Sequence, residues 1–519
     1  MPLSECTRVC ASLARALHVI DSISSSSYVV GGFIRDSFLG RVAKDIDVVV
    51  PGDAMAIAQQ VARELGGSFV PLDQEHCIAR VVQTWRSRGE SDTDAPEPDV
   101  LVIDFARYTG SIEEDLARRD FTIDAIAVPS TVVVAKLSAQ GTISGDTSGS
   151  IIDPLGGLRD ISERRLRACS AGAFEDDPGR LLRAVRLARE LGFTIDVCTE
   201  SAIREHAHLV SGVAAERTRE ELLKLLSLPD SAAHVHYLDT LGLLVPVFPE
   251  LERCRDVEQP TCHFWDVLEH SIQTIATFEF ITEESDWKYG NDEMVELVPD
   301  DPSLRMYLAA RVSFEASRAT LIKVACLLHD IAKPQTKTIE DSGRARFLGH
   351  ATEGASLARD ILQRLRFSSH ETAFVESLVC HHLRPSQMSA EGLPTRRAVY
   401  RFFRDTSSAG IGVLHLAMAD YLACRGPLFT MTEWRSVCEL IDFILQEHAR
   451  QEATVAPTRL IDGSELMQAL GMQPGPSVGV LLEAIREAQA AGLVNLREDA
   501  LKLARRIFES EHFTVRTSK

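Results

Sequence analysis

Along the first third of the chain, hydrophobic and polar positions follow two periods. Short runs rich in Val and Ile, at 28–30, 48–50, 68–72, 78–82 and 100–105, read as strands. Between two of them, apolar residues three and four apart over 54–65 read as a helix, with Asp53 as its cap and Gly66 just past its end. From about Leu166 onward the strand signal stops and the remaining segments carry the helical period. The pattern predicts an α+β N-terminal part, a mixed sheet with helices, followed by all-α domains.

At 519 residues the chain has material for three or four domains. Turn residues crowd 151–161, which marks a hinge, and the expected division is 1–158, 159–252, 253–450 and 451–519. Segment 86–98 is polar and acidic with Gly89, Pro96 and Pro98, as an exposed loop is; 283–301 reads as an acidic inserted loop. The 55 Lys and Arg against 75 Asp and Glu leave a net charge of -20, which excludes a protein that coats nucleic acid through its whole surface. Any RNA contact must be local. Eleven cysteines without a C-x-x-C pair read as reduced thiols rather than a disulfide or zinc framework. No apolar run approaches the ~20 residues that cross a bilayer, and Glu5, Arg8 and Arg15 interrupt the N-terminus as in an amphipathic helix rather than a signal peptide. The expectation is a cytoplasmic protein without a membrane partner; its oligomeric state is not legible.

The chemistry concentrates in 28–50, YVVGGFIRDSFLGRVAKDIDVVV. Strand, glycine turn, helix and strand follow one another. Strand alternation puts Asp45 and Asp47 on one face, where two like charges ask for a cation, and their hard oxygens suit Mg2+. Gly31 and Gly32 let backbone N–H groups approach a triphosphate, and Arg35 offers it a counter-charge. Asp104, in the apolar run 100–105, needs either a partner or the same metal. Further on, Arg118-Arg119-Asp120 precede an apolar segment, and Arg180, Arg183, Arg186 and Arg189 form a row along one predicted helix. A second constellation comprises His263, His270, His329-Asp330, His350, His381-His382 and Asp420, several of them inside apolar helical stretches where an imidazole beside a carboxylate is costly unless the two hold a metal or each other. Arg396, Arg397, Arg401 and Arg404, interleaved with Tyr400, Phe402 and Phe403, are either an RNA contact or the basic face of an amphipathic helix.

The order G31-G32-x-x-R35-D36 followed by D45-x-D47 resembles the signature of the polymerase-beta nucleotidyltransferase superfamily, in the form found in class II tRNA nucleotidyltransferases and bacterial poly(A) polymerases. Residues 118–125, RRDFTIDA, are similar to that family's R-R-D-F-T-x-N-A motif, with Asp124 standing where the family usually has Asn. Asp177 and Arg180 match its E-D-x-x-R motif, with Asp176 in the place of the Glu, and 216–226 resembles its next neck motif. The His and Asp series resembles the HD phosphohydrolase superfamily, although Ala332 stands where H-D-I-G-K is common. The tail, 460–508, is similar to the family's tail helices.

The resemblance implies a polymerase-beta-like palm, a helical neck, an HD domain and a tail. It implies Mg2+ at Asp45 and Asp47 with Asp104 as a third acid. Gly31, Gly32 and Arg35 would hold the triphosphate, Arg119 and Asp120 the ribose, and Asp177 and Arg180, on the ridge with Arg183, the base. His270, His329, Asp330, His350, His381 and Asp420 would hold Mn2+, Ni2+, Co2+, Fe2+ or Mg2+. The implied reaction adds C, C and A to a tRNA 3′ end from CTP and ATP. Alternatives are a CC-only or A-only enzyme, a poly(A) polymerase acting on other RNA, or a metal phosphohydrolase acting on RNA ends or cyclic phosphates. The basic G-[RK]-[RK]-F stretch of the poly(A) polymerases is missing after Asp47, where Pro51-Gly52-Asp53-Ala54 stands instead.

Overall fold

The structure, a computed structural model, describes residues 3–24, 26–41, 45–85, 99–140, 150–260, 262–390, 392–455 and 460–509. The loop expected at 86–98 lies outside these. The described chain forms two compact units, one of residues 1–213 with 241–243 and one of 214–240 with 244–519. The expected neck, 159–252, is therefore divided near Val213.

The first unit is built on a six-stranded mixed sheet: β1 (Tyr28–Val30), β2 (Asp45–Val50), β3 (Ser68–Asp73), β4 (Ile78–Trp85), β5 (Asp99–Arg107) and β6 (Ala127–Pro129), in the order β3-β4-β5-β2-β1-β6. Only β2 and β5 run parallel, and their register sets Asp47 directly beside Asp104. On the other side of β2, Val30 pairs with Asp47, so the glycine turn that follows β1 begins next to the acid. Val29, Val48, Val50, Ile103 and Phe105 are fully buried, as branched and aromatic residues on a covered sheet should be. Helices α1 (Leu3–Ile23), α2 (Gly32–Phe38) and α3 (Ala54–Leu65) pack on this frame. Asp53 accepts from the Ala56 amide at the start of α3, a cap worth about 1 kcal/mol. Gly157 fits against the Thr122 carbonyl where a Cβ would collide.

The predicted helix that carries the arginine row forms and ends at Gly192. Asp177 is extended (φ -146°, ψ 95°) before Pro178, and the long helix runs Arg180–Leu191. Among its described residues the second unit is helical apart from one small hairpin, Lys337–Ile339 with Ala345–Phe347. The tail has an apolar core of its own, including Leu466, Leu481, Ile485 and Ala500. It docks by charge on the helix Arg396–Thr406: Glu487 pairs with Arg397 and, at 2.6 Å, with Arg401, while Arg404 reaches Glu483. The arginine cluster is thus engaged inside its own unit. The acidic stretch 283–301 is likewise partly built in, since Glu284 accepts at 2.5 Å from the buried Lys323.

Candidate active site and metal centre

The short β1 ends at Gly31, whose backbone (φ 75°, ψ -148°) is open only to glycine, and the chain turns there into α2. A Cβ at Gly31 would lie 2.7 Å from Asp47 Oδ2 and 3.5 Å from Arg119 Nη1. Three motifs far apart in sequence, the glycine turn, the paired acids and the R-R-D segment, therefore meet at one point. Burial raises the Asp47 carboxyl to about 6, with Asp104 adding to the shift and Arg119 opposing it. A carboxylate disfavoured in this way is poised to accept a cation. Asp45, two residues earlier on the same strand face, is exposed beside it, and the pair fits a Mg2+ ion in donor type and charge.

Asp104 and Arg35 both have partners from the chain itself. Asp104 is not left as an open third ligand, because Arg80 grips both its oxygens at 2.8 Å from the adjacent strand. Arg35 is not turned to a triphosphate. It is buried, donating at 2.7 Å to Asp124 and at 2.9 Å to Asp36. The carboxylate that stands in place of the family's Asn thus has its counter-charge. Arg119 keeps a longer contact, 3.4 Å, with Asp115.

The base-motif helix is fastened to this centre. Arg183 donates at 2.7 Å to Asp120 Oδ2, and Arg180 donates to the Arg118 carbonyl at 3.0 Å and to that of Ala173 at 3.3 Å. Asp177 accepts from the Gly179 amide at 3.0 Å and stands 3.9 Å from Arg180 Nε. Arg186, buried, pairs with Glu190. The arginine row expected as a basic ridge is largely turned to its own unit. In the second unit Arg219 pairs with Glu315 at 2.8 Å. Behind the R-R-D motif, fully buried Asp160 accepts from Thr122 at 2.6 Å, Arg165 at 2.7 Å and Arg167 at 3.0 Å, bracing the 3₁₀ turn Thr122–Asp124.

The His and Asp constellation converges within the second unit. His270 Nε2 lies 3.2 Å from His329 Nε2, 3.3 Å from Asp330 and 3.0 Å from Asp420; His350 Nε2 is 3.3 Å from Asp330. The fourth imidazole is His382, buried and 3.9 Å from Asp330. His381 faces Arg384 and Asp405 instead, because neighbours on a helix point about 100° apart. His329, His350 and His382 each hydrogen-bond a backbone carbonyl through Nδ1, of Cys326, Phe347 and Val379, which aims every Nε2 lone pair inward. Nε2 of His350 and of His382 have no hydrogen-bond partner among the described residues. Without a cation a proton must serve. Burial would lower His329, yet Asp330 and Asp420 lift it to about 10, while burial and His329 push His382 down to about 4. The donor set fits a divalent ion.

Residues 27–167 match the poly A polymerase head domain, 192–254 the probable RNA and SrmB-binding site of polymerase A, and 267–423 the HD domain. The A-adding tRNA nucleotidyltransferase of Deinococcus radiodurans is 32% identical over 92% of this chain and 94% of its own length. The chain belongs to the tRNA nucleotidyltransferase family. The CC-adding tRNA nucleotidyltransferase of Thermus thermophilus is 31% identical, over 91% of this chain and 92% of its own. The solved Thermotoga maritima CCA-adding enzyme complexed with tRNA shares the fold, with a TM-score of 0.54 at 20% identity, covering 96% of this chain and 95% of that one.

The residues outside the expected site are His382, passed over for its neighbour His381, and Arg80 and Lys333, to which no motif pointed. His382 lies four residues after the buried Leu378 and seven after Val375, so the helical period of the apolar face distinguishes it from His381. Arg80 is recognisable only from strand register, which places it opposite Asp104. Lys333 follows Asp330 by less than one helical turn and pairs with it by charge at 2.5 Å. Among the described residues no helix is long and apolar enough to cross a membrane.

Proposed function

We propose that this protein adds C, C and A to the 3′ end of tRNA, drawing on CTP and ATP. The observation that carries the reading is the convergence of Gly31, Asp47 and Arg119 at one point of the palm. Asp45 and Asp47 hold two Mg2+ ions, and Asp104, held by Arg80, adds negative charge behind them. When bound, the ions lower the pKa of the RNA 3′ hydroxyl and stabilise the departing pyrophosphate. The Gly31 and Gly32 backbone receives the triphosphate, and Arg119 supplies the charge that Arg35, committed to Asp124, does not. Asp120, oriented by Arg183, accepts from the ribose hydroxyls. Asp177 and Arg180 present an acceptor and a donor to the base edge. The described cysteines, none in a disulfide, suit the reducing cytoplasm we assign to it.

A second reading, an enzyme adding only CC or only A, is favoured by the relatives matched over nine-tenths of the chain, which are A-adding and CC-adding. A tRNA trimmed of its last three nucleotides, offered CTP, ATP or both, separates these. Extension by three with both nucleotides supports the first reading, and arrest after CC, or extension only of a tRNA already ending in CC, supports the second. Asp45→Ala with Asp47→Ala should abolish all extension while tRNA still binds; normal extension would sink the assignment.

At the HD cluster we propose a divalent ion of the Mn2+, Fe2+, Co2+, Ni2+ or Mg2+ type held by His270, His329, Asp330, His350, His382 and Asp420. Its chemistry there is activation of water against a phosphoester. Opening of a nucleoside cyclic phosphate to the nucleoside monophosphate, lost in Asp330→Asn, tests that activity separately from extension.

A further inference from the structure

Just before the helix Val267–Ile281, which carries His270, the chain passes Cys262 and His263. At the end of the helix Gly410–Arg425, which carries Asp420, stands Cys424. The three residues come together although the cysteines are 162 positions apart. Cys262 Sγ lies 3.2 Å from His263 Nδ1, and one donor atom from each of the three residues falls within 4.8 Å of the others. Two backbone-directed bonds hold the arrangement: the Phe264 amide donates to the Cys424 carbonyl at 2.9 Å, and Cys424 Sγ donates to the Cys262 carbonyl at 3.3 Å. Gly426, with φ 51°, closes against Phe264, where an added Cβ would lie 3.1 Å from the Phe264 Cβ and 3.2 Å from its ring. The loop is thus strapped to the helix end with both thiols and one imidazole on the same side.

We propose that Cys262, His263 and Cys424 form a second metal site that takes Zn2+, distinct from the HD cluster. Donor chemistry separates the two. The HD cluster offers only imidazole and carboxylate, whereas two thiolates with one imidazole select a softer ion and suit tetrahedral Zn2+ with one position left for water. Each thiol gives up its proton to solvent as the metal binds, so the Cys424 Sγ bond to the Cys262 carbonyl is exchanged for a bond to the metal while the Phe264 amide keeps its bond to the Cys424 carbonyl. Coordination through His263 Nδ1 puts the ring proton on Nε2, so Lys333 Nζ, 3.4 Å away, gives up that contact and keeps its ion pair with Asp330 at 2.5 Å and its bond to Gln259 at 2.6 Å. Asp420 and Cys424 are four residues apart on one helix, so they share a face, and one serves the HD cluster while the other serves the thiol site. Zinc at the thiol site would clamp together the two elements that deliver His270 and Asp420.

The test uses the full-length protein, reduced, stripped of metal and titrated with Co2+, whose bonds to thiolate give a near-ultraviolet charge-transfer absorption that imidazole and carboxylate ligands do not. The wild type and Asp330→Asn should both develop this absorption to saturation, whatever further Co2+ the HD cluster takes up, and Zn2+ should bleach it. Cys262→Ser with Cys424→Ser should lack it while extending tRNA at the normal rate, which also shows that the variant is folded. Absence of the absorption in the wild type, its persistence in the double serine variant, or its loss in Asp330→Asn would each overturn the proposal.

Discussion

Replacing Gly31 with Ala tests the palm most sharply, because its two consequences are separable. The backbone there, at φ 75° and ψ -148°, lies in a region other residues occupy only under strain, at a cost on the order of 1–3 kcal/mol. In addition, the new Cβ would start 2.7 Å from Asp47 Oδ2. Ordinary contact needs about 3.4 Å, so the carboxylate must withdraw by roughly 0.7 Å. A displacement of that order at a reacting centre costs up to about 100-fold in rate. Gly66→Ala is the control: φ is 66° there and nothing lies within 4 Å, so it carries strain without touching an acid. Urea unfolding and single-turnover extension of trimmed tRNA at saturating CTP measure the two effects. Both variants should lose stability, Gly31→Ala the more, and only Gly31→Ala should lose rate, by tens-fold or more in fully folded protein. Full-rate extension by Gly31→Ala, or a rate that merely follows its folded fraction, would refute the placement of Asp47 against the glycine turn.

Asp124→Ala should destabilise the first unit by about 3–5 kcal/mol, since it leaves Arg35 buried with one partner fewer; Asp124→Asn should cost less, and denaturant midpoints compare the two. Asp160 sits in a site whose burial would raise its pKa, but Thr122, Arg165 and Arg167 together hold it below the ordinary 3.8. Its contribution is therefore present above about pH 4 and lost as the pH falls through the folded value, so the stability gap between wild type and Asp160→Asn should be full at pH 7 and shrink below pH 4 in a pH series of melts. Glu487→Ala should release the tail from its arginines at a cost of about 1–3 kcal/mol, seen as faster amide exchange in 463–508 with unchanged exchange in the sheet. Chelation should stop extension, and added Mg2+ should restore it.

The motifs were legible where chemistry dictates residue type at short spacing: a glycine turn, an acid pair on alternate strand positions, an imidazole beside a carboxylate. They were misread where partners arrive from elsewhere in the chain. Arg35 has the composition of a phosphate ligand, and only the fold shows that Asp124, 89 residues on, holds its charge. Asp104 could have been a metal ligand or an ion-pair partner, and strand register decides it by bringing Arg80 alongside. The choice between His381 and His382 required the helical phase of Val375 and Leu378 to be carried through the pair. The α+β and all-α division followed from periodicity alone, but the break near Val213 did not, since helices on both sides of it carry the same pattern.

The fork of Arg80 on Asp104, with Arg119 beside Asp47, means that two of the three palm acids have a positive neighbour supplied by the chain itself. Assembly and activation of this unit are then separate events. The polypeptide should therefore reach its shape in magnesium-poor surroundings, and on the function proposed above the ion concentration would set how fast it works rather than whether it is built.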